Sequence, residues 1–176
     1  GLSMPVGFKN GTNGNVDIAV AAIQAASHPH HFLSVTKQSI AAIVATKGNP
    51  NCHVILRGSS QGPNFDAESV AKAVGQLGQK KLVTRLMVDC SHGNSRKDHT
   101  QQPVVAGSIA EQIAAGSQSV FGIMLESHLE PGRQDLSAED LKYGQSVTDA
   151  CLGWDTTVPV LEELAQAVRT RRSQKG

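Results

Sequence analysis

Aromatic residues are scarce in this 176-residue chain, at 3% of the total, and charge is sparse at 18%. An average soluble domain carries about 25% charged residues. Sixteen Lys and Arg offset fifteen Asp and Glu, for a formal net charge of +1. A nucleic-acid surface needs a basic stripe and stacking rings, and neither is present. The one basic run, Arg169 to Lys175, reads as the cationic last turn of a helix, where the macrodipole favours it. Cysteine is equally sparse. Cys52, Cys90 and Cys151 are odd in number and far apart, with no C-x-x-C, which supports neither a disulfide framework nor a zinc finger. They read as reduced thiols packed on or beside strands. No run approaches the ~20 apolar residues of a bilayer helix. Gly1 to Lys9 has neither the basic nor the apolar part of a secretory leader, so a cytoplasmic protein without membrane contact is expected.

What the sequence does have is 39% apolar residues, with 17 Gly and 7 Pro spread along it, which suits one globular domain with many tight turns. Short apolar runs alternate with helical patterns at least four times, the sign of βαβ units and a parallel sheet, so the class is α/β. The first unit has Met4 to Phe8 extended, a polar turn, and Val16, Val20 and Ile23 at helical spacing, with Asn15 placed to cap. Phe32 to Val35 reads as an additional strand, and Ala41 to Thr46 fits helix or strand. His53 to Leu56 is the next strand, and its helix carries Val70, Val74 and Leu77. Leu82 to Val88 is the third, before a helix with Val105, Ile109 and Ile113 that stops at Gly116. Val120 to Leu125 is the fourth, and the closing helix bears Leu161, Leu164, Ala165 and Val168.

Each main strand ends in a residue able to do chemistry: Lys9 after Phe8, Arg57 after Leu56, Asp89 and then His92 after Val88, and Glu126 after Leu125. In a parallel barrel the strand C-termini share one rim, and active sites occupy it. Lys9 and Arg57 would supply positive charge for an anionic, phosphorylated substrate, the Arg by its planar fork. His92 and Glu126 are ligand types for a first-row divalent metal, and Asp135, Asp140 or Asp149 could complete the set. Spacing does not choose among those three acids. A complete (β/α)₈ barrel takes roughly 250 residues. The chain therefore reads as half a barrel, either part of a longer enzyme or a partner to another chain, and it starts at Gly1 without an initiator Met.

Gly1 to Thr12 (GLSMPVGFKNGT), Pro29 to Lys37 (PHHFLSVTK), Cys52 to Gly58 (CHVILRG), Asp89 to Ser95 (DCSHGNS), Met124 to Leu129 (MLESHL) and Ser146 to Trp154 (SVTDACLGW) together carry a specific resemblance. In order and spacing they resemble the class I 3-deoxy-D-arabino-heptulosonate 7-phosphate (DAHP) synthases of the shikimate pathway, from residue 1 to about Arg172. The resemblance covers the C-terminal half of such an enzyme, so the chain is expected to be residues 1–176 of one catalytic (β/α)₈ barrel's second half. It implies metal-dependent condensation of phosphoenolpyruvate with erythrose 4-phosphate, releasing phosphate. Lys9 and Arg57 match phosphoenolpyruvate-binding residues of the family, and His92, Glu126 and Asp149 match three metal ligands. His92, with Lys9 and Arg57, is also placed in the catalytic set. The family's fourth ligand, a cysteine, belongs to the N-terminal half, as do the Lys and Arg residues that complete its phosphate sites. None of Cys52, Cys90 and Cys151 lies in that cysteine's motif.

The expected metal is manganese, iron, cobalt or zinc, since this ligand set suits all four. The resemblance also implies a homo-oligomer and an aromatic amino-acid effector, phenylalanine by the Ser at Ser34, in a pocket including Leu2, Ser3, Phe32 and Ser34. Two other readings compete. One is a Schiff-base aldolase using Lys9, which needs a desolvated lysine and no metal. The other is an inactive half-barrel that works only with its N-terminal half. His128 and Lys97 lie near the motifs and read as loop side chains.

Overall fold

The computed structural model describes residues 4–174, so Leu2 and Ser3 of the expected effector pocket lie outside the described residues. Strands β1 (Val6–Lys9), β4 (Cys52–Leu56), β5 (Leu86–Asp89) and β6 (Val120–Met124) pair in that order, all in parallel. Helices α1 (Asp17–Ser27), α2 (Ala67–Gln79) and α3 (Gln102–Ala114) are the crossovers between them. Val54, Leu56, Leu86 and Val88, in the two middle strands, are fully buried and form the centre of the core. Near-continuous apolar runs in these strands fit a parallel sheet whose faces are both covered.

Between α1 and β4 the chain makes a separate antiparallel hairpin, β2 (His30–Val35) and β3 (Ala41–Thr46), paired from His30 opposite Thr46 to Val35 opposite Ala41. The segment that fitted helix or strand is thus a strand, because pairing with β2 satisfies backbone groups that its β-branched residues would hold less well in a helix. It stands outside the regular sheet, as expected of the additional strand.

Three expectations need correcting. Asn15 does not occupy the cap position, which is Val16; its side-chain oxygen instead accepts from the Asp17 N–H at 2.8 Å, one residue early. The third strand is shorter than Leu82 to Val88, since Lys81 turns with φ at 56° and pairing with β6 starts only at Leu86, where the register shifts. Helix α4 (Trp154–Ser173) buries Thr157, Val160 and Ala167, with Leu164 and Val168 beside them, while Leu161 and Ala165 face outward. The buried stripe runs 157, 160, 164, 167, one residue round from the expected one, because that face lies against α3. Elsewhere the helices follow the sequence: Ile109 and Val105 are buried, and Gly116 ends the α3 segment with φ at 103°. No helix among the described residues is long and apolar enough to cross a membrane.

Candidate active site

Because the four strands run the same way, their C-terminal ends fall on one rim. Lys9 closes β1, Asp89 closes β5, Arg57 follows β4 and Glu126 stands two residues beyond β6. The loops that carry them are tied together by three asparagines. Asn10 Oδ1 accepts from the Arg57 N–H at 2.8 Å, and Asn10 Nδ2 donates to Gly58 O at 3.0 Å. Asn64 Oδ1 accepts from the Gly58 N–H at 2.7 Å, and Asn94 Oδ1 accepts from the Asn64 N–H at 2.8 Å. Asn94 Nδ2 donates back to Leu56 O and Asp89 O. At Gly58, φ is +70° and an added Cβ would lie 2.3 Å from the Gly93 carbonyl carbon, so glycines let the two loops touch.

Asp89 is wholly buried. Its Oδ1 accepts from the Ser91 N–H at 2.9 Å, and its Oδ2 lies 2.7 Å from Lys9 Nζ and 2.9 Å from His92 Nδ1. His92 adopts the left-handed region with φ at 51°, a costly backbone for a non-glycine residue and one that concentrates at functional sites. Its other nitrogen, Nε2, is 3.7 Å from Glu126 Oε1. Glu126 is positioned from both sides: Ser91 Oγ donates to Oε2 at 2.8 Å, and the buried Gln102 amide accepts from its N–H at 2.8 Å and donates to its C=O at 3.1 Å.

Asp149 arrives through the long polar loop after β6. Leu152 then pairs in parallel with Ser127 on that strand's extension, with the Leu152 N–H donating to Glu126 O at 2.9 Å and the His128 N–H donating to Leu152 O at 2.9 Å. One ligand atom from each of His92, Glu126 and Asp149 then lies within 4.8 Å of the others. Among the described residues, Asp135 and Asp140 are not part of this group. The Asp135 carboxylate instead accepts from the Ser137 N–H and hydroxyl, which hold it below the usual carboxylate range. One imidazole and two carboxylates, converging with room between them, fit a first-row divalent ion.

Arg57 lines a cavity of about 570 Å³ with His92, Arg96 and Lys97, and its buried Nε has no hydrogen-bond partner among the described residues. Of the loop residues, Lys97 therefore faces the cavity, while the exposed His128 uses Nδ1 to accept from the Leu129 N–H. Phe32 and Ser34 lie on β2, two residues apart and so on one face, in the hairpin and not on the rim. The cysteines behave as expected of thiols: burial first, then the neighbouring Asp89 carboxylate, pushes Cys90 up to about 12, and burial likewise raises Cys151. The sequence marked Asp89 as a strand-end residue able to do chemistry without giving it a particular role, and it marked no role for Ser91, Gln102 or the three asparagines. Asp89 and Ser91 are flagged by adjacency to His92, whereas nothing local marks Gln102, Asn64 or Asn94.

Lys9 and Arg57 beside the converging His92, Glu126 and Asp149, at the C-terminal rim of a parallel four-stranded sheet with helical crossovers, mark an α/β protein whose candidate site lies where the strand ends meet. More narrowly, the chain belongs to the DAHP synthetase I family, which it matches over residues 1–162. It is 53% identical to the tyrosine-inhibited phospho-2-dehydro-3-deoxyheptonate aldolase of Schizosaccharomyces pombe, over 99% of this chain and 48% of that one. It is 50% identical to the Phe-sensitive phospho-2-dehydro-3-deoxyheptonate aldolase of Escherichia coli, over 98% of this chain and 49% of that one. The solved phospho-2-dehydro-3-deoxyheptonate aldolase of Francisella tularensis superposes with a TM-score of 0.93 at 53% identity, over 97% of this chain and 50% of that one. The chain spans about half the length of the curated relatives it matches. The family is generally metal-dependent.

Proposed function

We propose that the chain forms the C-terminal half of a catalytic barrel that condenses phosphoenolpyruvate with erythrose 4-phosphate to DAHP and phosphate, the entry to the shikimate pathway. The observation that carries this is the convergence of Lys9, Arg57, His92, Glu126 and Asp149 on one rim of a chain in this family. Lys9 and Arg57 bind the phosphoenolpyruvate anion, Arg57 from the wall of the cavity. His92, Glu126 and Asp149 would hold a divalent metal, manganese, iron, cobalt or zinc, which when bound would supply Lewis-acid polarisation of the erythrose 4-phosphate aldehyde. The enol carbon attacks that aldehyde, water adds at the carbon bearing phosphate, and the carbon–oxygen bond to phosphate breaks. The N-terminal half supplies the cysteine ligand and the remaining phosphate contacts.

The Schiff-base reading is disfavoured by Lys9 itself. Such a lysine needs a free amine in an apolar setting, and Lys9 is ion-paired to Asp89. The test is phosphoenolpyruvate consumption on adding erythrose 4-phosphate, with manganese and again with chelator, for the chain alone and with the N-terminal half of the E. coli relative. Consumption that needs both the second half and the metal is expected. Chelator-resistant consumption, with borohydride trapping of Lys9, would overturn the metal mechanism. No consumption under any condition would overturn the activity.

The effector reading places an aromatic amino acid, phenylalanine first, beside Phe32 and Ser34. It is supported by the inhibited forms named among the relatives and by the apolar exposure of this hairpin. In the completed enzyme, which we take to be a homo-oligomer, phenylalanine is expected to inhibit, and inhibition by neither phenylalanine nor tyrosine would sink the reading.

A further inference from the structure

Asp89 sits between the two halves of the proposed site. Its Oδ1 accepts from the Ser91 N–H at 2.9 Å, and its Oδ2 faces both Lys9 Nζ at 2.7 Å and His92 Nδ1 at 2.9 Å. The carboxylate is wholly buried, so water cannot serve as a substitute partner, whereas Lys9 is about one-third exposed and reaches the rim. The hydrogen bond that Oδ2 accepts comes from Lys9 Nζ. His92 Nδ1, although close, is buried and off the line that would make a hydrogen bond. Oδ2 thus faces two donors and is hydrogen-bonded to the lysine.

We propose that Asp89 couples anion binding at Lys9 to metal binding at His92 through this shared oxygen, an inference that rests on the functional reading above. An anion arriving at the rim draws the Lys9 ammonium toward itself. Oδ2 is then left to the His92 Nδ1–H, and the carboxylate orients the imidazole and raises the basicity of Nε2 on the metal side. Carboxylate partners of this kind commonly tune metal affinity by about 10- to 100-fold. Phosphoenolpyruvate therefore tightens metal binding, and the metal tightens phosphoenolpyruvate binding by the same factor, as linkage requires. Asp89 is here a positioning residue. It touches neither ligand and acts through the two residues that do.

The experiment uses the chain completed with the N-terminal half of the E. coli relative and reads the manganese dissociation constant by electron paramagnetic resonance of the free ion. It is run with and without phosphoenolpyruvate, erythrose 4-phosphate being absent. In the unsubstituted protein phosphoenolpyruvate is expected to tighten manganese binding about fivefold or more, the lower end of ordinary coupling. Asp89→Asn is expected to weaken manganese binding by about 10- to 100-fold and to abolish the response to phosphoenolpyruvate. Lys9→Met should do the opposite without any phosphoenolpyruvate, tightening manganese binding to the level the unsubstituted protein reaches with it. A merely structural role for Asp89 predicts no such gain, and Lys9→Met decides the matter alone if Asp89→Asn loses its helical circular dichroism. A persisting response in Asp89→Asn, or unchanged manganese binding in Lys9→Met, overturns the coupling. Consumption of both substrates by the unsubstituted protein without coupling overturns this inference only. Absence of both consumption and phosphoenolpyruvate binding overturns the functional reading and the inference with it.

Discussion

Gln102 is among the largest fully buried side chains although it is polar, because its amide answers both backbone groups of Glu126. A buried donor or acceptor left without its partner costs about 1–3 kcal/mol. Gln102→Leu keeps the bulk and strands the Glu126 N–H and C=O, so a loss of about 2–3 kcal/mol is expected by denaturant unfolding. The same substitution loosens the backbone that carries the Glu126 carboxylate, which Ser91 Oγ alone then positions. Its metal affinity should fall by about tenfold or more, read by metal titration, since partners of ligands commonly matter on that scale. The thiols give a kinetic counterpart. Cys90 is buried with its thiol pushed up to about 12, so iodoacetamide at neutral pH should label the partly exposed Cys151 before Cys90, with peptide mapping as the readout.

At the scale of elements, α2 depends on a single cap. Asp66 accepts from the Ser69 N–H at 2.9 Å and the Ser69 hydroxyl at 2.7 Å, and these bonds hold its carboxyl below the ordinary value of 3.8. Asp66→Ala should destabilise by about 1 kcal/mol. A depressed carboxyl contributes stability above its unfolded value and loses it as pH falls through the folded one. The gap between parent and Asp66→Ala should therefore close on acidification below 3.8, measured by unfolding at successive pH values. The contact between the loops after β4 and β5 is less forgiving. Gly58→Ala adds a Cβ 2.3 Å from backbone at φ +70°, where no flexible side chain can yield. A loss of about 3 kcal/mol or more is expected, together with weakened phosphoenolpyruvate binding, since Arg57 is the adjacent residue.

For the whole molecule, the sheet order leaves β1 and β6 each with one paired edge and one open edge. Beside the β1 edge lies a cavity of about 420 Å³ lined by Val6, Phe8 and Phe32, and beside the β6 edge one of about 480 Å³ lined by Val120, Ile123 and Leu164. The hairpin adds apolar surface, with Leu33 82% and Ile43 73% exposed. Open edges flanked by apolar surface template association. The chain alone should elute from size exclusion above its 18.5 kDa mass, and an N-terminal half from a relative should replace that self-association with a defined complex. Elution as a clean monomer would show that these edges are satisfied within the chain.

The parallel α/β class, the order of strands and helices, and the strand-end positions of Lys9, Arg57, Asp89 and Glu126 were legible in the sequence. Hydrophobic period and strand-end polarity are local properties, and a wholly parallel sheet carries every strand end to one rim. Strand or helix for Ala41 to Thr46 was not legible, because pairing with β2 across a turn decided it. The outward turn of Leu161 was set by the face that α4 lays on α3, which no periodicity within α4 could choose. Residue spacing left Asp135, Asp140 and Asp149 equal, and the family resemblance picked out Asp149. The structure brings Asp149 to Glu126 because Leu152 pairs with Ser127 on the extension of β6 and Cys151 with Gly132 in the loop. The support around the site was decided by tertiary structure for the same reason: Asp89 meets Lys9 across 80 positions, and Gln102 meets Glu126 across 24. Such partners are chosen by distance in space, which local sequence pattern does not encode.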